Sequence, residues 1–265
     1  METYQKYALI TGATSGIGFE LAKLFAHHNY NLVIVARSQE ELDMTAIKLE
    51  LFGMDVIKIA KDLFKRDEVF SLCDEIKKEG IEIDVLVNDA GQGVCGEFKD
   101  TDIERELNIV NLNICATVIL TKYFVKDMIS RGRGRILNLG SVADKIPGPW
   151  QSVYHATKAF VQSFTTAIRE ELKGTGVTLT SLMPAVTDTD FFNKAGMNES
   201  TTMPDKEAMA KPADVAMDGF NALMAGEDRV ISGLKNKTQV NMSSAIPNGV
   251  AAHKVHKQQK QVENH

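Results

Sequence analysis

Apolar residues gather into short runs along the whole chain, at 7–11, 31–36, 56–60, 85–88, 135–139, 177–183 and 229–232. These runs are rich in Val, Ile and Leu, which suits strands on a buried pleated surface. The run at 32–36 is apolar without alternation, and a strand of that kind is covered on both faces. Between the runs lie longer amphipathic stretches. Ile17, Leu21, Leu24 and Phe25 fall at i, i+4, i+7 and i+8, one helical stripe, with Glu20, Lys23 and His27 off it. Further helices are predicted over 39–52, 65–79, 101–130, 151–174 and 212–225. Strand and helix in alternation predict an α/β fold, a doubly wound parallel sheet of about seven strands joined by right-handed crossovers. The long irregular insertions, 93–100, 142–151 and 187–211, follow late strands, where such sheets bind ligands. No linker divides the chain, so one domain over 1–234 is expected, followed by a polar extension over 235–265.

Composition narrows the classes. The chain has 265 residues, 44% of them hydrophobic, enough for a full core. A formal charge of -5 lacks the basic footprint of a nucleic-acid binder. Three cysteines without a CxxC pair predict neither a disulfide framework nor a metal cage. No apolar run reaches the roughly 20 residues of a membrane span, and the chain enters its first strand without a signal peptide. A cytoplasmic protein that binds neither membrane nor nucleic acid is the expectation.

The first strand leads into Thr11-Gly12-Ala13-Thr14-Ser15-Gly16-Ile17-Gly18 and then directly into a helix. Glycines there allow a tight turn and close approach to a pyrophosphate, while the helix N-terminus supplies amide donors and positive potential. Alone, such a cluster is also an ordinary turn; after the first strand of a strand–helix series it predicts a nucleotide site. The second strand ends Val35-Ala36-Arg37-Ser38 with no acid for a ribose hydroxyl, so Arg37 points to a 2′-phosphate and hence to NADP rather than NAD. The competing role for Arg37 is a solvated loop residue. Asp62, after the third strand, is either an acceptor for the adenine amino group or a cap of the following helix.

Tyr154 and Lys158 stand at i and i+4, on one face of one helix. A cation beside a phenol favours the phenolate and draws its pKa down toward the working range. Combined with TGATSGIG, Asn88-Asp89-Ala90-Gly91, Ser141 and Pro184, this order of motifs resembles the short-chain dehydrogenase/reductase family over about residues 6–233. The resemblance implies a Rossmann-type fold and transfer of a hydride between a nicotinamide cofactor and a carbonyl/alcohol pair. It makes Tyr154 the proton donor in reduction, Ser141 a hydrogen-bond partner of the substrate oxygen, and Lys158 the holder of the nicotinamide ribose. It makes Asn113 the relay asparagine, with Asn111 a near competitor. Gly12, Ser15, Gly16, Ile17, Gly18, Arg37, Asp62, Leu63, Asn88, Ala90 and Gly91 would contact the cofactor, and Pro184, Val186 and Thr189 its nicotinamide end. The family also implies a homodimer or homotetramer.

Asp89, Gly140 and Ala185 depart from the family's commonest residues without removing a catalytic group. His155 reads as an ordinary helix residue, and Cys95 and Cys115 as small buried fillers. Val94, Ile146, Trp150, Val153, Phe191, Phe192 and Met197 suggest an apolar pocket for a small carbonyl or alcohol substrate, whose identity the residues leave open. A redox-sensing nucleotide binder without turnover is the alternative class. The intact Ser141, Tyr154 and Lys158 count against it. An epimerase acting on sugar nucleotides fits poorly, because little chain follows residue 233.

Overall fold

A computed structural model describes residues 5–197, 207, 209–233 and 249. Seven strands form one sheet in the order β3-β2-β1-β4-β5-β6-β7. They are β1 (Tyr7–Thr11), β2 (Asn31–Ala36), β3 (Val56–Ala60), β4 (Ile83–Asn88), β5 (Gly134–Leu139), β6 (Val177–Met183) and β7 (Arg229–Ile231). Every neighbouring pair is parallel. The order reverses between β1 and β4, and a crevice opens there beyond the carboxyl ends of the strands.

Helices cover both faces. On one side α1 (Gly16–His27) packs with α8 (Pro212–Ala225), placing Leu21, Phe25, Phe220 and Leu223 against Ala8, Ile10, Leu32 and Ile34. On the other, α3 (Arg66–Lys78) and α5 (Thr117–Ser130) cover Leu9, Val33, Leu86 and Ile136. Leu9 is fully buried between the layers, and truncating a leucine so placed costs about 2–5 kcal/mol. The element order is completed by α2 (Gln39–Glu50), α4 (Ile103–Val110), α6 (Ser152–Glu171) and the short α7 (Phe191–Lys194).

The helix expected over 101–130 is continuous from Ile103 to Ser130 but changes winding: Asn111–Ala116 is a π-helical stretch between α4 and α5. It is 28 residues long, and an 18-residue stretch of it reaches the mean hydropathy (1.3) of a membrane span, which the sequence reading did not foresee. Its apolarity has a local cause, since Leu112, Ala116, Leu120 and Phe124 are buried in the sheet-facing core. Residues 198–206 and 208 of the 187–211 insertion, and all but residue 249 of the 235–265 extension, lie outside the described residues.

Candidate active site

The first wall of the crevice is the glycine turn. Gly12 has φ +72°, and a Cβ there would lie 3.1 Å from the Ala90 backbone, so a side chain is excluded by conformation and by space. This lets the turn sit against the Asp89–Gly91 segment after β4. Thr11 fastens the two, its Oγ1 accepting from the amides of Asp89 and Ala90, each at 3.1 Å. Ser15 precedes α1 in extended conformation and makes no side-chain capping bond, and α1 has no acid in its first turn. The positive end of α1 therefore faces the crevice.

A cavity of about 1030 Å³ runs from this turn to the far insertions. That is at the upper end of ordinary ligand pockets and has room for an extended dinucleotide beside a substrate. Gly12, Ser15, Gly16, Ile17, Arg37, Leu63, Ala90, Gly91, Ser141, Tyr154, Lys158, Pro184, Val186 and Thr189, all named from the sequence, line it. At one end the Arg37 guanidinium lies over the Phe64 ring, 5.2 Å from its centre, with Ser38 and Lys61 in the same wall. Stacking fixes the otherwise flexible Arg37 head. Phe64 and Lys61 were missed in the sequence, where an aromatic two residues after Asp62 carries no signal of its own.

Three expected cofactor residues do not line the cavity. Asp62 turns back on its own loop, accepting from the Phe64 amide (3.2 Å), and the N-cap of α3 is Lys65, so Asp62 neither lines the cavity nor takes the helix-capping place. Asn88 is buried in the sheet, its Nδ2 donating to Asn138 Oδ1 (2.8 Å) and Thr121 Oγ1 (3.2 Å). It ties β4 to β5 and α5. Gly18 lies behind the turn rather than on the cavity surface.

On the opposite wall, the turn after β5 places Ser141, and the first turns of α6 place Tyr154 and Lys158. Ser141 Oγ accepts from the Ala143 amide (3.1 Å), and the Ser141 hydroxyl beside Tyr154 favours the phenolate. The Lys158 ammonium donates to the Leu139 carbonyl (2.8 Å) and lies 5.9 Å from the centre of the Tyr154 ring. Burial pushes the Tyr154 phenol up to about 12, and the Ser141 hydroxyl offsets this in part. Burial also brings Lys158 down to about 8, against the attraction of Asp89. The expected lowering of the phenol pKa is therefore reversed here: Phe191, 5.1 Å away ring to ring, helps cover the tyrosine, and desolvation wins.

Asn113 sits in the π-helical stretch, 2% exposed. Its Oδ1 accepts from the Gln92 amide (3.0 Å), and its Nδ2 donates to the Gln92 carbonyl (2.9 Å) and Thr157 Oγ1 (3.0 Å). The side chain thus braces the segment after β4 against α6. Asn113 rather than Asn111 holds this place, and a Cβ on Gly91 would lie 3.4 Å from its Oδ1 and 3.5 Å from Lys158 Nζ.

The apolar end is only partly as expected. Ile146, Phe191, Phe192 and Met197 line the cavity, whereas Val94, Trp150 and Val153 do not. Val94 is core, and the Trp150 carbonyl accepts from the Gly96 amide (2.8 Å), turning that residue into a brace between two loops. Cys95 packs beside Phe192 and Met197, but it and Cys115 are only half-buried rather than the buried fillers expected. His155 departs from the expectation. Its ring fills the space where a Gly148 Cβ would be, and Nδ1 lies 2.7 Å from the Ile146 carbonyl oxygen. It clips the 146–151 loop to α6 and lines the cavity, and burial lowers its pKa below the usual histidine value.

The family model described as short chain dehydrogenase matches residues 6–200. The chain belongs to the short-chain dehydrogenase/reductase family, oxidoreductases that act on alcohol and carbonyl groups with a nicotinamide cofactor. Among its relatives is the ketoacyl reductase HetN of Nostoc sp., 32% identical over 235 residues that cover 88% of this chain and 76% of HetN. A very-long-chain 3-oxoacyl-CoA reductase of Neurospora crassa is 37% identical over 176 residues, 64% of this chain. The match spans only about half (53%) of that longer protein. A solved short-chain dehydrogenase from Sphingobium yanoikuyae, in complex with NADPH, superposes with a TM-score of 0.80 at 27% identity. The superposition covers 91% of this chain and 96% of the other.

Proposed function

We propose that this chain is an NADP-dependent carbonyl reductase of 3-oxoacyl thioesters or comparable apolar ketones, with Tyr154 as proton donor. The observation that carries the reading is the gathering of Ser141, Tyr154 and Lys158 in the cavity wall, with the Lys158 ammonium 5.9 Å from the centre of the Tyr154 ring. When bound, the nicotinamide supplies the hydride. Charge then develops on the substrate oxygen, and a donor must stand within about 2.6–3.2 Å of it. Tyr154, kept protonated by burial, gives its proton to that oxygen, and Ser141 holds the oxygen by a second hydrogen bond. The phenolate left on Tyr154 is stabilised by Lys158, which would also hold the nicotinamide ribose when the cofactor is bound. Asn113 positions Gly91 and Lys158 around them.

NADP is favoured by Arg37, preset on Phe64, with Lys61 in the same wall and no acid at the end of β2. Glu41, the acid in this part of the wall, is engaged by Thr14 Oγ1 at 3.2 Å. The thioester class is supported by the name of the Neurospora 3-oxoacyl-CoA reductase, the ketoacyl class by that of the Nostoc relative, and an apolar substrate by the wall of Ile146, Phe191, Phe192 and Met197. The reading includes a homodimer or homotetramer, supported by the exposed apolar Phe98, Ile103, Leu107 and Phe160 on and beside α4 and α6. A redox sensor without turnover has no use for an acid–base group in that wall. The test is NADPH consumption with a panel of 3-oxoacyl thioesters, ketones and aldehydes. Turnover with the thioesters supports the reading, and NADPH binding without turnover on any of them overturns it.

A further inference from the structure

Asp89 follows β4 directly, between Asn88, which is turned into the sheet, and Ala90, which lines the cavity. The residue keeps some surface and itself lines the cavity, yet its carboxyl is buried under the glycine turn. The Gly18 amide, in the first turn of α1, faces it and favours its ionised form. Its Oδ2 lies 2.5 Å from where a Gly18 Cβ would be and 3.1 Å from a Gly12 Cβ. Both glycines are thus needed for the carboxyl to reach the turn. Its Oδ1 is covered and has no hydrogen-bond partner among the described residues. An acid lodged against the amides that would receive a diphosphate is an unusual neighbour for an anion site.

We propose that Asp89 is a positioning residue whose protonation is linked to nucleotide binding: neutral, it leaves the field of the α1 N-terminus to a phosphate, and ionised, it competes for that field. The inference rests on the nucleotide reading given above. The groups facing the carboxyl are few. From α6 comes the Lys158 ammonium, whose attraction favours the ionised form, and from α1 the Gly18 amide, which does the same. From β1 and its turn come Thr11, bonded to the Asp89 amide, and Gly12, neither of them charged. Desolvation outweighs both attractions and raises the carboxyl to about 7. A second anion arriving at α1 adds like-charge repulsion and raises it further. Binding therefore draws a proton onto Asp89, and by the same linkage affinity falls as the free protein loses that proton. Asp89 also acts on the catalytic side, because its ionised form helps Lys158 keep its proton.

The experiment follows the Asp89 carboxyl carbon by NMR through a pH titration of the full chain, assigned by its loss in Asp89→Asn. In the free protein the resonance is expected to titrate near neutrality. Saturation with NADPH should move the midpoint up by about one unit, equivalent to roughly tenfold weaker NADPH binding above the midpoint than below it. Reading the carboxyl itself separates this titration from that of Lys158 and from the nucleotide's own phosphate. Titration below about pH 5, as an ordinary carboxylate, or a midpoint unmoved by bound NADPH, overturns the proposal. If neither wild type nor Asp89→Asn binds NADPH at any pH, the nucleotide reading fails and takes this inference with it. A neutral midpoint in the free protein, together with normal NADPH binding that leaves it unmoved, overturns this inference alone.

Discussion

The proposed cofactor choice and pH response each rest on a single residue. Arg37→Ala removes a charge-assisted contact, so NADPH binding should weaken by roughly 1.5–3 kcal/mol while NADH binding stays nearly constant. Fluorescence titration of both nucleotides checks this, and equal losses would give Arg37 a structural role. Lys158 is lowered from 10.5 to about 8, so its ammonium is present below that pH and lost above it. Carbonyl reduction should accordingly fall as pH rises through about 8, read from initial rates at saturating NADPH. At this scale the sequence was legible where partners are close in the chain: the glycine turn, and Tyr154 with Lys158 one helical turn apart. It was not legible where the deciding partner is distant or is backbone. Asn88 was given to the cofactor because nothing nearby shows that Asn138, fifty residues on, takes its amide. His155 was passed over because its partners are a carbonyl and a glycine. The rise of Tyr154 depends on burial by an insertion nearly forty residues away.

At the scale of elements, the alternation of apolar runs placed all seven strands, and the helix bounds differ from expectation by only a few residues at their ends. The change of winding at Asn111–Ala116 was invisible, because a π-helical stretch lies in the backbone hydrogen-bond pattern and not in side-chain periodicity. Its consequence is Asn113, which joins α5's leading stretch to α6 and to the segment after β4. Asn113→Ala leaves the half-buried Gln92 amide and carbonyl without that partner, and should cost about 1–2 kcal/mol in chemical denaturation. A loss under about half a kcal/mol would remove the brace from the account. The insertion over 187–197 is anchored by Phe192 and Met197 and by the bridge of Thr187 to Ala210, with Phe191 over Tyr154. Its amides should gain hydrogen-exchange protection when NADPH and substrate bind together. Equal protection in the free and bound protein would count against closure there.

For the whole molecule, the sheet brings residues from β1, β2, β4, β5 and β6 to one crevice at the reversal between β1 and β4, and the reaction is assigned to that crevice. The proposed oligomer rests on the outer apolar residues of α4 and α6, and light scattering should then give a mass well above the 29.2 kDa of one chain. A particle of one chain's mass at micromolar concentration would contradict it. The central claim is that one buried phenol separates turnover from binding, and Tyr154→Phe tests it most directly. The variant keeps the ring and its packing on Phe191 but has no proton to give. On a 3-oxoacyl thioester the account predicts turnover lower by roughly 10²–10⁴-fold, with NADPH affinity within about twofold of wild type. Turnover close to wild type in that variant would contradict the assignment of the acid, and with it the mechanism.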